Sequence, residues 1–191
     1  YQGLFSLLSA AGIGWLIWSY SMADRTDLGT TPPWGVTFLA ILLAMAGLWL
    51  AILGVFSPNP TSVGQEAQLR SVTPARGVVR ITRHPFMVGF AAWALAQIIL
   101  NPDAASLVFF GAFLVLAGLG PGLIDAKKAR APGGDWPGFA SATSIMPFAA
   151  IIQGRNRFDS GEIGWQRPLA AFVIVGLLIY FHGSLSGVAL F

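Results

Sequence analysis

The chain has 191 residues, of which 55% are hydrophobic and only 10% are charged, and its mean hydropathy is +0.69. Soluble domains carry about 25% charged residues, so this composition excludes an ordinary soluble domain and predicts an integral membrane protein. The net charge of +3 comes from basic residues that flank apolar stretches, which excludes a basic nucleic-acid-binding surface, and the absence of cysteine excludes disulfides, cysteine-ligated iron–sulfur clusters and thiol nucleophiles.

Five apolar segments are candidates to cross a bilayer, whose hydrocarbon core needs roughly 20 helical residues with a tolerated range of about 17–25. They predict an all-α fold, a polytopic transmembrane helix bundle with five spans in this chain. Because the chain starts at Tyr1 without a methionine or a basic leader, we expect an N-terminal segment to precede it. The predicted spans are Leu4–Tyr20, Trp34–Phe56, Pro85–Leu100, Ala104–Ile124 and Pro168–Leu190.

The segments between the spans differ in length and composition. Met22–Pro33 is a polar turn, and Asn101-Pro102-Asp103 is a tight turn because Pro and Asx residues favour turn conformations. Two long polar loops, Ser57–Arg83 and Asp125–Arg167, carry most of the charge. Near the end of the fourth span, Pro121 is expected to kink or fray the helix, since it lacks a backbone N–H.

The distribution of basic residues predicts the orientation of the chain in the membrane. Ten of the eleven Lys and Arg residues fall in the two long loops, and five spans place both loops on one face. Because cytoplasmic loops carry an excess of Lys and Arg, we expect that face to be cytoplasmic, in a bacterial inner membrane. The ten residues are Arg70, Arg76, Arg80, Arg83, Lys127, Lys128, Arg130, Arg155, Arg157 and Arg167.

One short motif stands out where the first long loop meets the third span, the stretch Arg80-Ile81-Thr82-Arg83-His84-Pro85. Pro85 suits the first helical position, because its missing N–H would have no intrahelical partner there. His84 is either a metal or haem ligand, a proton-transfer group, or a histidine that caps the helix and bonds loop carbonyls. Arg80 and Arg83 either hold an anionic group such as a phosphate or simply mark the cytoplasmic face, and Asp125 is placed to pair with one of these cations.

Three other features can each be explained by a purely structural role as well as by a functional one. His182 lies about 21 Å along the fifth helix, at 1.5 Å per residue, so it should approach the outer face as an interfacial histidine. We therefore expect that it does not share one iron with His84. Gln97, within the third span, is expected to bond a neighbouring helix. The apolar run Ile145–Ile152 is too short to span and should lie in the membrane interface or re-enter the membrane.

Two stretches carry a resemblance to a known family. Arg80–Gly89, continuing to Trp93–Ala96, and Thr143–Arg155 resemble the NnrU-like membrane proteins, a family that includes the 15-cis-zeta-carotene isomerases of plants and cyanobacteria. The spacing between the two stretches agrees with that family. The resemblance implies one NnrU-like integral membrane domain over residues 1–191 and a bundle of six helices in the full-length protein.

The resemblance also implies a cofactor. The carotene isomerases bind haem b through two histidines, of which one matches His84 and the other falls in a segment before Tyr1. His84 is thereby expected to be the metal ligand, with Arg80 or Arg83 neutralising a haem propionate and a polyene as substrate. Gln97 departs from the family, since relatives commonly carry a histidine there. Bacterial relatives are linked to denitrification, which implies a non-catalytic assembly role with a respiratory reductase as partner.

The Arg-His-Pro element also resembles the isoprenylcysteine carboxyl methyltransferases and the phospholipid methyltransferases. That resemblance implies an S-adenosylmethionine-dependent enzyme acting on membrane lipid or a prenyl group, with Arg83 and His84 lining the cofactor pocket. Those enzymes normally show a Glu-Glu pair after the next helix. Here the region reads Asp125-Ala126-Lys127-Lys128, which weakens the methyltransferase hypothesis.

Overall fold

The computed structural model describes residues 2–29, 31–71, 73, 75–131 and 136–186, and within these ranges every regular element is helical. Two 3₁₀ helices, Glu66–Arg70 and Gly77–Arg80, lie in the first long loop. The α-helices are α1 (Gln2–Met22), α2 (Trp34–Phe56), α3 (Pro85–Leu100), α4 (Ala104–Arg130), α5 (Trp136–Ala142), α6 (Ala149–Ile152), α7 (Ser160–Ile163), α8 (Gln166–Tyr180) and α9 (His182–Ser186).

Within the described ranges, two helices are long and apolar enough to cross a membrane, α2 and α4, and two shorter ones, α3 and α8, are also apolar. A buried helix in the core of a soluble protein would pass the same test of length and composition. In α4, however, only 17% of the apolar stretch is buried. Leu116, Leu119 and Leu123 all point outwards from this helix. Such an exposed apolar helix indicates membrane association, because hydrocarbon, unlike water, tolerates an unbroken apolar surface.

The predicted boundaries hold at α2 and α3 and fail at the two later spans. α4 does not end near Pro121 but continues to Arg130, six residues beyond the predicted end at Ile124. The predicted span Pro168–Leu190 is wrong as one helix, because α8 ends at Tyr180 and α9 begins at His182. At the break, the Phe181 amide donates to the Leu177 carbonyl, which closes the last turn of α8. The end of that prediction, residues 187–191, lies outside the described residues.

Glycines allow α2 and α3 to pack backbone against backbone. A Cβ atom at Gly47 would lie 2.6 Å from the Gly89 carbonyl oxygen, and one at Gly54 would lie 2.7 Å from the Phe86 nitrogen. Real Cβ atoms do not approach so closely, so any larger residue would force the helices apart. Small residues permit this kind of contact between membrane helices. The contact at Gly54 fixes the first turn of α3, which begins at Pro85.

A hydrophobic core lies at the end of the bundle that carries the long loops. It joins residues from both loops to the ends of the helices, and it gives the loops a packed interior. Trp49, Leu50 and Ile52 of α2 cover it from the bundle side. The basic loops are therefore a folded layer, which the sequence did not predict. The core residues are Leu53, Leu69, Val78, Val79, Ile81, Trp136, Phe139, Ile163 and Ala171.

The opposite end of the bundle is closed by the turn before α4. Asp103 caps α4 by accepting a hydrogen bond from the Ser106 amide at 2.8 Å. Arg25 reaches this carboxylate, with Nη1 3.6 Å from Oδ1, and the Tyr20 hydroxyl lies 2.8 Å from Ser106 Oγ. Two backbone hydrogen bonds, from Leu28 to the Pro102 carbonyl and from Ala104 to the Thr26 carbonyl, join the turns. α1 is thereby attached to α4 through polar contacts.

Candidate functional site

Pro85 and Thr82 position His84 at the start of α3. Pro85 occupies the first turn, as predicted, and His84 is the residue immediately before the helix. Its side chain makes no capping bond to the helix, and its backbone amide donates to the Thr82 hydroxyl at 3.3 Å. The imidazole is consequently free to turn away from its own helix and face α4.

The imidazole of His84 is buried against Asp125 of α4. His84 Nε2 lies 2.7 Å from Asp125 Oδ1, and the two side chains are 1% and 18% exposed. The extension of α4 beyond Ile124 brings Asp125 to this depth. An ionised carboxylate only accepts hydrogen bonds, so opposite an ionised Asp125 the Nε2 atom would be the donor of this bond.

Arg83 completes the cluster from the other side of Asp125. Its Nη1 lies 3.3 Å from Asp125 Oδ2, and its Nη2 donates to the carbonyls of Ala140 at 3.0 Å and Thr143 at 2.8 Å. Its Nε is buried without a hydrogen-bond partner among the described residues. Burial lowers the pKa of Arg83, repulsion from Arg155 adds to this effect, and attraction to Asp125 opposes it. The predicted pairing of Asp125 with a loop cation is confirmed.

Arg80 takes part in a different ion pair. Its Nε and Nη2 donate to the two carboxylate oxygens of Glu162, at 2.6 and 2.7 Å, in the bidentate geometry typical of strong Arg–carboxylate pairs. The Gly77 amide also donates to Glu162, at 2.7 Å, from a backbone with φ of +64°. Together these donors, Arg80 foremost, lower the pKa of Glu162 to about 2. Arg80 thus links the first long loop to α7.

The two stretches that resemble the NnrU-like family bind each other directly. The Arg83 amide donates to the Ser144 carbonyl at 2.8 Å, and the Phe148 amide donates to the Ile81 carbonyl at 2.8 Å. Between them, the Thr82 hydroxyl donates to the Ile145 carbonyl at 2.7 Å. The motif before α3 and the motif in the second loop therefore form one unit around His84.

Three other predicted residues lie apart from this unit. Gln97 Oε1 accepts a hydrogen bond from Asn101 Nδ2 at 3.0 Å, at the end of the same helix, and the expected bond to a neighbouring helix stays a prediction. His182 begins α9, beyond the end of α8. In the run Ile145–Ile152, Met146 and Ile152 are exposed and Ala150 is buried, and the expected position of this run at the membrane interface stays a prediction.

Sequence reasoning missed Glu162 and Asn156. Asn156 donates through Nδ2 to the Ala142 carbonyl at 2.5 Å, while its Oδ1 is buried without a partner in the described ranges. Glu162 is one of four acidic residues beside six Lys and Arg residues in the second long loop, so composition does not single it out. Neither residue belongs to a recognisable motif, and their partners lie 82 and 14 positions away in the chain.

The cluster can be tested for its fit to haem b. Metal-ligating histidines commonly donate their second N–H to a carboxylate, so the pair of His84 and Asp125 suits a ligand in principle. The imidazole, however, is 1% exposed, and it lines neither the cavity beside Phe139 nor the cavity beside Pro102. These ranges also contain no group of three or more His, Asp or Glu residues placed to hold a metal ion. In this conformation the residues around His84 do not fit a porphyrin, and its ligation of haem stays a prediction.

Comparison of the sequence with known proteins assigns the chain to a family. The chain is 41% identical over 82 residues to a chloroplastic 15-cis-zeta-carotene isomerase of Arabidopsis thaliana, covering 42% of this chain and 22% of that protein. It is 31% identical over 107 residues to the corresponding isomerase of Zea mays, covering 55% of this chain and 29% of that protein. No solved structure matches the chain. The model of the family described as NnrU protein matches residues 1–190, and the chain therefore belongs to the NnrU family.

Proposed function

We propose that this chain is a membrane-embedded isomerase that converts a carotenoid-type polyene between cis and trans forms. The observation that carries the proposal is the similarity to two 15-cis-zeta-carotene isomerases. The chain spans less than a third of the length of either relative, so the proposal concerns the activity of the whole protein and the part that this domain plays in it.

The proposal includes the arrangement in the membrane. α1, α2, α3 and α4 would be four spans, and α8 with α9 would form the fifth. The full-length protein would have six. The membrane would be a bacterial inner membrane. The layer that contains His84 would face the cytoplasm, because it holds ten of the eleven basic residues.

An aromatic wall between α1, α3 and α4 supports a polyene as substrate. Tyr20 stacks on Phe109 with ring centroids 4.2 Å apart, and Trp93 meets Phe110 edge to face at 5.4 Å. Phe90 lies 5.1 Å from Trp93 and continues the wall towards Phe86, in the first turn of α3. Aromatic faces offer large apolar contact areas, which suit a rigid conjugated hydrocarbon dissolved in the bilayer. The wall runs along α3 from the turn that begins next to His84.

The chemistry that would lower the isomerisation barrier is a separate part of the proposal. We predict haem b as the cofactor, bound through His84 with Arg80 or Arg83 near a propionate, as the family resemblance implies. Since His84 is enclosed by Asp125 and both arginines already have carboxylate partners, haem binding would require these contacts to rearrange.

The test uses the full-length protein in detergent. We expect it to reduce the 15-cis fraction of zeta-carotene, measured by chromatography in darkness, and we expect a Soret band that shifts on reduction. In the His84→Ala variant the band should shift or vanish. Isomerisation without any Soret band would refute haem b and retain the isomerase, whereas a Soret band without isomerisation would refute the isomerase.

Two alternatives have their own measurements. Methyl transfer is favoured by the position of Asp125, an acid facing the Arg-His-Pro element from the region where the methyltransferases carry their Glu-Glu pair. Failure to bind S-adenosylmethionine in calorimetry would remove it. A non-catalytic assembly role predicts that a nitrite or nitric oxide reductase co-purifies with the protein, and that His84→Ala leaves reductase maturation intact.

A further inference from the structure

A basic cavity opens in the loop layer, apart from the cluster of His84 and Asp125. Its volume is about 680 Å³, and Arg80, Arg155, Asn156 and Arg157 lie along one side. Phe139 forms part of the apolar wall, and no Asp or Glu is among the described residues that line the cavity. We propose that this cavity binds a phosphate ester, presented by the headgroup of an anionic phospholipid. The proposal is independent of the isomerase activity.

The positive charge of the cavity comes from Arg155 and Arg157. Arg80 is offset by Glu162, its bidentate partner, and is also attracted by Asp159. The side chain of Arg157 is exposed and makes no hydrogen bond or ion pair with any residue that the structure describes. Its guanidinium therefore retains all its donors for a ligand, and a planar guanidinium matches two phosphate oxygens at once.

Among the residues that the structure describes, Arg155 is held at the cavity by neutral groups. Its Nη1 donates to the carbonyls of Ser141 at 2.5 Å and Thr143 at 2.6 Å, and its Nε donates to Gln153 at 2.8 Å. These contacts fix the guanidinium in place and do not neutralise its charge. Arg83 donates to the same Thr143 carbonyl from the other side, so two like charges converge on one oxygen. An anion in the cavity would offset the repulsion between them.

The surroundings of the cavity favour a lipid over a free phosphate. Met146, Phe148 and Ile152 belong to the turn that leads into Arg155, and they are 70%, 50% and 83% exposed. Phe148 takes a left-handed backbone conformation with φ of +62°, which helps to turn this segment outwards. Exposed apolar side chains beside a pair of arginines match the boundary between acyl chains and headgroups, where anionic lipids attract basic residues.

The experiment titrates the purified full chain, in a non-ionic detergent, with dihexanoyl phosphatidylglycerol, dihexanoyl phosphatidylcholine or inorganic phosphate. Binding is measured from the rise in unfolding temperature with ligand concentration. We expect phosphatidylglycerol to stabilise the protein at lower concentrations than phosphatidylcholine does. In Arg157→Gln, the apparent affinity for phosphatidylglycerol should fall about tenfold, the loss expected for one charge-assisted contact.

Arg157→Gln is the informative variant because this side chain makes no contact that the fold needs, so its unfolding temperature without lipid should equal that of the parent. Arg130→Gln is the matched control, since Arg130 is exposed at the end of α4 and does not line the cavity. An equal effect of inorganic phosphate, lost in Arg157→Gln, would support the site and assign it to a free phosphate. Unchanged phosphatidylglycerol affinity in Arg157→Gln, an equal loss in Arg130→Gln, or no response to any ligand would overturn the proposal.

Discussion

Removing the carboxylate of Asp125 should destabilise the whole loop layer. In the Asp125→Ala variant, His84 Nε2 loses its acceptor at 2.7 Å and Arg83 Nη1 loses its ion pair at 3.3 Å. Arg83 keeps the carbonyls of Ala140 and Thr143, which satisfy Nη2 and leave its charge without a counterion. The imidazole and the guanidinium are 1% and 12% exposed, so water replaces the lost carboxylate poorly.

The size of the effect follows from this burial. Removing one partner of a buried charge pair costs about 3–5 kcal/mol, because the remaining charge is left uncompensated. In a chain of roughly 150–250 residues, each kcal/mol lowers Tm by about 2–4 °C, so Asp125→Ala should lower Tm by about 6–20 °C. The partial exposure of Asp125, at 18%, favours the lower half of that range.

Thermal unfolding in detergent, followed by tryptophan fluorescence, measures the change. Trp136 reports locally, because its ring lies 6.0 Å from the guanidinium carbon of Arg83. Asp24→Ala is the control, since Asp24 is exposed and its side chain contacts no partner in the described ranges. The reasoning fails if the two variants lose the same stability. The double variant Asp125→Ala/His84→Ala should lose less stability than the sum of the losses in the two single variants, because the two residues share one contact.

Three further variants test other parts of the fold by thermal unfolding. Gly89→Ala should destabilise the packing of α2 and α3 by about 1–3 kcal/mol through overpacking, whereas Gly111→Ala, which meets open space, should not; equal effects would refute the close contact. Glu162 has a pKa lowered to about 2 from 4.5, so its ion pair contributes stability above pH 4.5 that is lost as pH falls towards 2. Glu162→Gln should remove this loss of stability between pH 4.5 and 2. If the stability of the variant depends on pH as that of the parent does, the ion pair is refuted. Asp103→Ala should cost about 1 kcal/mol through loss of the cap on α4, and no loss would count against this cap.

The apolar helices could be predicted where local signals coincide with their ends. α2 begins after Pro33, and α3 begins at Pro85 and ends at the turn of Asn101, so hydrophobicity and turn residues agree at these boundaries. α4 continues past Pro121, whose ring is buried, and no local signal shows that packing supports the helix there. The end of α8 was missed because its sequence stays apolar beyond Tyr180.

The candidate site was predictable only in part, because many of the residues that meet there lie far apart in the sequence. The place of His84 before α3 follows from Pro85 next to it, and Asp125 was expected on the same face. The pair of Arg80 and Glu162 joins residues 82 positions apart, and no periodic pattern connects them. The loop core was missed for the same reason, since Leu69 and the pair Val78–Val79 are short apolar patches in polar segments until the fold brings them together.

The contact between the two motifs sets an order of events during synthesis. The Thr82 hydroxyl bonds the Ile145 carbonyl, 63 residues later in the chain. At about 5–20 residues per second, the ribosome needs about 3–13 s to supply the second motif after the first. The Asp125 carboxylate is made 42 residues after Arg83 and the Thr143 carbonyl 60 residues after it, so for most of that interval Arg83 lacks both partners. The loop layer can therefore close only after α4 and the second motif have been made, so its closure reports that the whole segment between the two motifs has been synthesised.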